Sequence, residues 1–341
     1  MKIGILEAAP IAPTVDAGSR ALLDFYCRLE ELGHDVQFIY ETEPNFVEKI
    51  AVLNLDLMMI SRPGLFRRTH QMLSSFKVPK IYIAQDLHFV RLNLQSELIG
   101  DRSKIDVKVA KLIESFCVLN STYSLFPTSS EAEFINDMLG TSKAIAIQYF
   151  GFLNKMLKEH KGGIKQLIFV GSAAHMPNRD GVTWFIENVW PDIKKRYSNL
   201  QFKVVGNWTL EDSRELLRPG IDFTGVLTED ELETVISESD MGISPLRFGA
   251  GMKRKTLNYM SHGLPVVTTS FGIEGVFSGS SQGIVLADSK SEWVEAINMV
   301  NDEPTRVELG FQAGDFIQKN FSTEKQRVDL DNLIKLVTSN L

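Results

Sequence analysis

Short apolar runs alternate with helix-patterned segments from one end of the chain to the other, and no other feature narrows the possible folds as much. KIGILEA, DVQFIY, LDLMMIS, KIYIA and YSLFPTS each read as a buried strand closed by a polar or glycine-containing turn. LIFVG, FKVVG, IDFTG, MGISPL, PVVTTS and GIVLA repeat the pattern in the second half. Strands that are apolar without alternation are covered on both faces, and the helices between them supply the cover. SRALLDFYCRLEELGH has apolar residues at helical spacing and ends on Gly33 just before DVQFIY, which makes a βαβ unit. The expected class is α/β with doubly wound, Rossmann-like parallel sheets.

A chain of 341 residues exceeds one ordinary core. The polar, glycine-bearing KMLKEHKGGIK interrupts the alternation midway, so the expected division is 1–160 and 161–320. TEKQRVDLDNLIKLVTSNL, in the remaining 321–341, reads as an amphipathic helix with no strand after it, expected to pack back toward the first domain. GVTWFIENVWPDIKKRY reads as one helix. Open sheets of this kind bind ligands beyond the carboxyl ends of their strands, so a cleft between two such domains is the expected site.

The formal charge is −7 and neither half is basic, which argues against nucleic acid as the main ligand. Cys27 and Cys117 lack CxxC spacing and read as reduced core residues, suiting a cytoplasmic protein. No run reaches the roughly 18 apolar residues of a membrane span, and the N-terminus reads as a strand, not a leader; membrane contact is expected to be peripheral at most.

SPLRFGAGMKRK, residues 244–255, leaves a strand, turns through Gly249 and Gly251, and enters a helix at Lys253, Arg254 and Lys255. Unpaired N–H groups and the positive dipole end at a helix start favour an anion, here a phosphate. The plainer alternative is a βα turn whose glycines relieve strain and whose lysines are solvated. Gly171 in FVGS, Gly206 in VVGNW and Gly225 in FTGVL close three further strands, each serving either a ligand or the turn. None fits GxGxxG or a Walker loop.

Taken in order, LIFVGSAAHMPNRDGVTWFIENVWPDIKKR, VVGNW and DFTGVLTEDELETVISESDMGISPLRFGAGMKRKTLNYMSHGLPVVTTSFGIEGV resemble the nucleotide-sugar domain of GT-B glycosyltransferases, in particular retaining family 4 (glycosyl transferases group 1). In the first half DAGSRALLDFYCRLEELGHDVQFI, SRPGLFRR, IYIAQDLHFVR and FPTSSEAE extend the resemblance over essentially the whole chain. The resemblance implies a donor on the C-terminal domain, an acceptor mainly on the N-terminal one, and no bound metal or other cofactor, the nucleotide-diphosphate sugar being a co-substrate. It implies that Gly249, Ala250 and Gly251, with Met252 beside them, offer N–H groups to the diphosphate while Lys253 neutralises the leaving group. Gly225, Val226 and Leu227 would line the base. Gly171, Ser172 and Gly206 would complete the rim, and Arg179 is either a second phosphate ligand or a solvated helix-start residue.

Family members carry a glutamate, seven residues and a second glutamate; aligned on GLPVV, those positions are Ala250 and Asn258. Asn258 can still hydrogen-bond a ribose and Ala250 cannot, while Glu274 in FGIEG either recovers such a contact or is a surface carboxylate. QDLHFVR places Asp86, His88 and Arg91 near the cleft side. The resemblance makes His88 and Asp86, with Lys253, the catalytic candidates, His88 matching the region where family members have an acceptor-side or sugar-contacting histidine. A metal pair of Asp86 with His88 and a non-catalytic helix-start cluster are the alternatives. Gly18 and Ser19 either face the diphosphate or, through Ser19, cap a helix. Arg62, Arg67 and Arg68 in SRPGLFRR hint at an anionic partner or are a solvated face.

The leading expectation is transfer of a sugar, with retention, from a nucleotide-diphosphate donor to a hydroxyl on a glycan, lipid-linked glycan or protein. A nucleotide-sugar 2-epimerase on the same fold and a non-catalytic nucleotide-sugar-binding subunit are the alternatives.

Overall fold

A computed structural model describes residues 1–12, 17–99, 104–153, 155, 161–249, 251–276 and 282–339. The chain divides into two units. The first comprises Met1–Gly151 and Thr323–Leu341 together with the short Ala250–Met252 stretch; the second comprises Phe152–Gly249 and Lys253–Ser322.

The first unit holds a parallel six-stranded sheet, β1 (Lys2–Glu7), β2 (Asp35–Tyr40), β3 (Leu57–Ser61), β4 (Lys80–Ile83), β5 (Tyr123–Phe126) and β6 (Ala144–Ala146), in the order β2-β1-β3-β4-β5-β6. Its helices are α1 (Ala17–Glu31), α2 (Phe46–Leu53), α3 (Pro63–Thr69), α4 (His88–Ile99), α5 (Lys104–Asn120) and α6 (Ser129–Leu139). β3 is buried at every position, as its unalternating LMMIS requires.

The second unit's sheet is β7 (Gln166–Val170), β8 (Gln201–Val205), β9 (Ile221–Gly225), β10 (Met241–Ser244), β11 (Val266–Thr268) and β12 (Ile284–Leu286), all parallel in the order β12-β11-β10-β7-β8-β9. Numbered from β7 this is the 3-2-1-4-5-6 order of doubly wound nucleotide-binding sheets, and its direction of winding reverses between β7 and β10. The helices are α7 (Met176–Asn188), α8 (Trp190–Arg196), α9 (Leu210–Arg214), α10 (Glu229–Glu238), α11 (Arg254–Ser261), α12 (Lys290–Asn301) and α13 (Glu303–Asn320). α14 (Thr323–Ser339) lies against α1 in the first unit, where Gln326 donates to the Tyr149 carbonyl at 2.8 Å.

GVTWFIENVWPDIKKRY forms the end of α7 and all of α8 instead of one helix, because Pro191 cannot donate to the preceding turn. α10 and α12 begin with reciprocal caps, Thr228 with Glu231 and Ser289 with Glu292, which TEDE and SKSE encode directly.

The second core is built around Phe185, which meets Phe202 and Trp293 edge-on with ring centroids 5.2 Å away in each case. All four tryptophans, Trp184, Trp190, Trp208 and Trp293, belong to this unit. Their fluorescence therefore reports on the second unit alone. Phe185→Ala should destabilise that unit by about 3–5 kcal/mol, the usual cost of truncating a buried phenylalanine. Urea titration followed by tryptophan fluorescence measures it, and an unchanged midpoint would contradict the packing described.

Candidate functional site

In the second unit, the loop after β7 and the loop after β10 flank the point where the winding reverses. Beyond β10 the chain passes through Gly249 (φ +150°) and Gly251 (φ +73°) and starts α11 with Lys253 as its N-cap. Lys253 is buried, and its Nζ stands 3.9 Å from Glu274 Oε2. One half-turn on, Lys255 extends across the end of β7: its Nζ donates to Asn178 Oδ1 at 2.6 Å and lies 4.0 Å from the centre of the Phe169 ring. Asn178 is held in turn by its donation to the Ser172 carbonyl at 3.0 Å. A Cβ at Gly171 would sit 2.5 Å from Asn178 Nδ2 and 2.9 Å from Lys255 Nζ, so the meeting of these side chains requires glycine there.

Burial around Lys255 pushes its ammonium well below the ordinary lysine value, and the nearby charge of Lys253 pushes it the same way. The start of α11 thus combines two ammonium groups with a positive helix end, and an anion there would relieve both penalties.

The remaining rim residues are more loosely built. Gly206 (φ +134°) packs so tightly that a Cβ would come within 2.5 Å of the Gly171 carbonyl oxygen, which joins the ends of β7 and β8. Ser172 Oγ accepts from Ala174 N at 3.2 Å and so shapes the turn into α7. Gly225 (φ +76°) faces open space, Val226 is exposed and Leu227 half-buried. Arg179 pairs with Asp212 at 2.5 Å, so any phosphate would have to compete with a carboxylate for it.

The first unit gathers a separate cluster at the end of β4. His88 opens α4, and its Nδ1 lies 2.9 Å from Glu114 Oε1 and 3.1 Å from Asp86 Oδ1. Arg91 Nε donates to the other Asp86 oxygen at 2.7 Å. Glu114, on α5, also accepts from the backbone N–H groups of His88 (2.8 Å) and Phe89 (3.3 Å), and so caps α4 from another helix. Burial opposes a charge on His88, but the Glu114 hydrogen bond and the Asp86 carboxylate outweigh it and raise the imidazole above its ordinary value. No group of three or more His, Cys, Asp or Glu among the described residues is arranged to hold a metal ion.

Gly18 and Ser19 lie inside α1, which begins at Ala17, so Ser19 is a buried residue of the first turn and not the N-cap. Two of the three arginines in SRPGLFRR are engaged at home. Arg62 bonds Glu7 through Nε at 3.1 Å, and Arg68 bonds Glu41 at 3.0 Å. Arg62 also has φ +65°, an unusual backbone for a residue with a side chain.

Residues 164–302 match the sequence profile of the family described as glycosyl transferases group 1. Over these residues the second unit is similar to group 1 glycosyltransferase domains. The chain is 27% identical over 167 residues to a Klebsiella pneumoniae protein described as an uncharacterised 44.6 kDa protein in the cps region, a match spanning 47% of this chain and 43% of that relative. In fold, it superposes over its full length on all of a sucrose-phosphate synthase from Thermosynechococcus elongatus (TM-score 0.79, 13% identity). It also matches HepE of Anabaena in complex with UDP and glucose (TM-score 0.70, 13% identity, 98% of this chain and 99% of that one). The fold is therefore GT-B.

Within the second unit, Asn258 lies on α11, half-buried, and its backbone carbonyl accepts from Ser261 Oγ and His262 Nδ1, both at 2.8 Å. Glu274 closes a 3-10 turn, Ser270–Ile273, and its side chain is half exposed beside Lys253. Met252 is half-buried ahead of α11, and Ala250 lies outside the described residues. The structure thus brings Gly171, Ser172, Lys253, Glu274 and the start of α11 to one end of the sheet. It adds Asn178, signalled only by the asparagine of MPNRDG at the start of α7, and gives Lys255, already visible in the KRK of the helix start, its specific partner.

The depressed lysine has a measurable consequence. The unfolded chain binds a proton at this position that the folded chain resists, so wild-type stability should rise with pH up to about 10.4, the free lysine value. Relative to Lys255→Met, which cannot titrate, the wild type should therefore gain stability between neutral and alkaline pH. Urea titrations of both proteins at two pH values test this, and a constant difference would refute it.

Proposed function

We propose that this protein transfers a sugar from a nucleotide-diphosphate sugar to a hydroxyl group of a glycan, lipid-linked glycan or protein acceptor, with retention of configuration. The observation that carries the reading is the pair Lys253 and Lys255 at the start of α11, beside the point where the second sheet reverses its winding. A leaving nucleoside diphosphate carries its new charge on phosphate oxygens, and a desolvated pair of cations at a helix start stabilises that charge more than it stabilises the intact donor. Backbone N–H groups around Gly249 and Gly251 would add donors, and Asn258 would take the ribose in place of the family's second glutamate. Gly225 to Leu227 offer an open edge for the base. Arg179 would serve the phosphates only after leaving Asp212.

The first donor to try is a UDP-sugar, since HepE was captured with UDP and glucose and the Klebsiella relative lies in a cps region. The relative's place in a cps region supports a polysaccharide acceptor. Among the described residues no helix is long and apolar enough to cross a membrane.

A thermal-shift series with UDP, GDP, dTDP, CDP and ADP sugars identifies the donor: a ligand at a hundred times its dissociation constant stabilises by about 2.7 kcal/mol. Absence of a shift with every donor would overturn the reading. Lys253→Ala should lower kcat by about a hundredfold while changing nucleotide affinity much less, as expected for a group acting on developing charge. Steady-state kinetics alongside calorimetric nucleotide binding separates the two, and an unaltered kcat would remove Lys253 from the reaction.

A further inference from the structure

His88 is more constrained than a sugar-contacting side chain needs to be. The two carboxylates lie against a single ring nitrogen, Nδ1, and a lone pair there would face carboxylate lone pairs. The proton must therefore sit on Nδ1. Its hydrogen bond is aligned on Glu114 Oε1; the buried Asp86 Oδ1 has no aligned donor and contributes its charge alone. Glu114 is itself almost wholly enclosed, at 1% exposure, and is tied to the α4 backbone through His88 N and Phe89 N. His88 keeps 30% of its side chain exposed, and Nε2 makes no hydrogen bond among the described residues.

The surrounding charges favour the ring cation. Asp86 and Glu114 face the imidazole and Arg91 neutralises one of them, leaving one negative charge for His88 to balance. Glu131 of α6 adds a further carboxylate nearby, engaged with Leu87 N at 3.1 Å, while Lys111 of α5 lies over the Phe89 ring at 5.7 Å.

We infer that Glu114 is a positioning residue, which locks the His88 ring with Nδ1–H on its carboxylate so that Nε2–H is offered as a hydrogen-bond donor to an oxygen of the sugar substrate. The identity of that substrate rests on the transferase reading; the locked ring does not. Nothing in the helix pattern of KIDVKVAKLIESFCVLN separates Glu114 from the solvated carboxylates around it, and only the fold brings it to the start of α4.

The test uses the full chain labelled with 15N-histidine, with His88 assigned through the His88→Asn variant. Ring nitrogen spectra from about pH 5 to 9 should show an Nδ1–H ring whose titration midpoint lies above the ordinary value of about 6.5. Glu114→Gln keeps the size and the backbone acceptor but removes the charge. The midpoint should then fall by about one pH unit or more, and the alkaline limb of the kcat profile should move down with it. Glu114→Asp should restore most of the shift. A neutral Nε2–H tautomer or an ordinary midpoint in the wild type would overturn the inference even if Glu114→Gln fails to fold. An unmoved midpoint in a folded Glu114→Gln protein would overturn it as well. Absence of nucleotide release from any donor would instead count against the transferase reading, with the spectra still deciding the role of Glu114.

Discussion

Every strand in each sheet runs parallel to its neighbours, and from that constraint the positions of the candidate groups follow. A parallel strand can be succeeded by another only after a crossover, so each helix begins at the carboxyl edge where its strand stopped. Helix starts, with their unpaired N–H groups, therefore collect along one edge of the sheet. Lys253 and Lys255 in the second unit and His88 in the first stand at such starts, after the loops that follow β10 and β4. The chemistry is placed by the direction of the backbone before any side chain is chosen.

Where the strands are fully buried, their sequences were sufficient to find them. LMMIS, MGIS and QLIFV have no polar alternation, and each lies inside a two-sided layer. Capping signals of the TEDE type likewise mark their helices from three or four residues. Much less was legible for elements defined by their surroundings. The short strand AIA at the sheet edge pairs on one side only, and α2 starts without a capping side chain. The break between α7 and α8 was written in Pro191, whose effect a smooth apolar period concealed.

The candidate site divides the same way. Glycines in a βα loop and a lysine at a helix start are local patterns, visible in a dozen residues. The partners that give those lysines their character are distant: Asn178 stands 77 positions from Lys255, and Glu114 stands 26 from His88. Charge balance at such places is a property of the packed chain, and a linear pattern of residue types carries no record of it.

The enclosure of Lys255 also bears on how an anion would be received. A solvated ammonium must shed ordered water before it can meet a phosphate, and part of the attraction is spent in that exchange. The chain has already removed part of this ammonium's water shell while folding, against the Phe169 ring and the Asn178 amide. Salt ions screen a half-buried charge of this kind less than a fully exposed one. An anion drawn to this end of the sheet would therefore be held by a force less sensitive to ionic strength than contacts along the exposed edge near Val226.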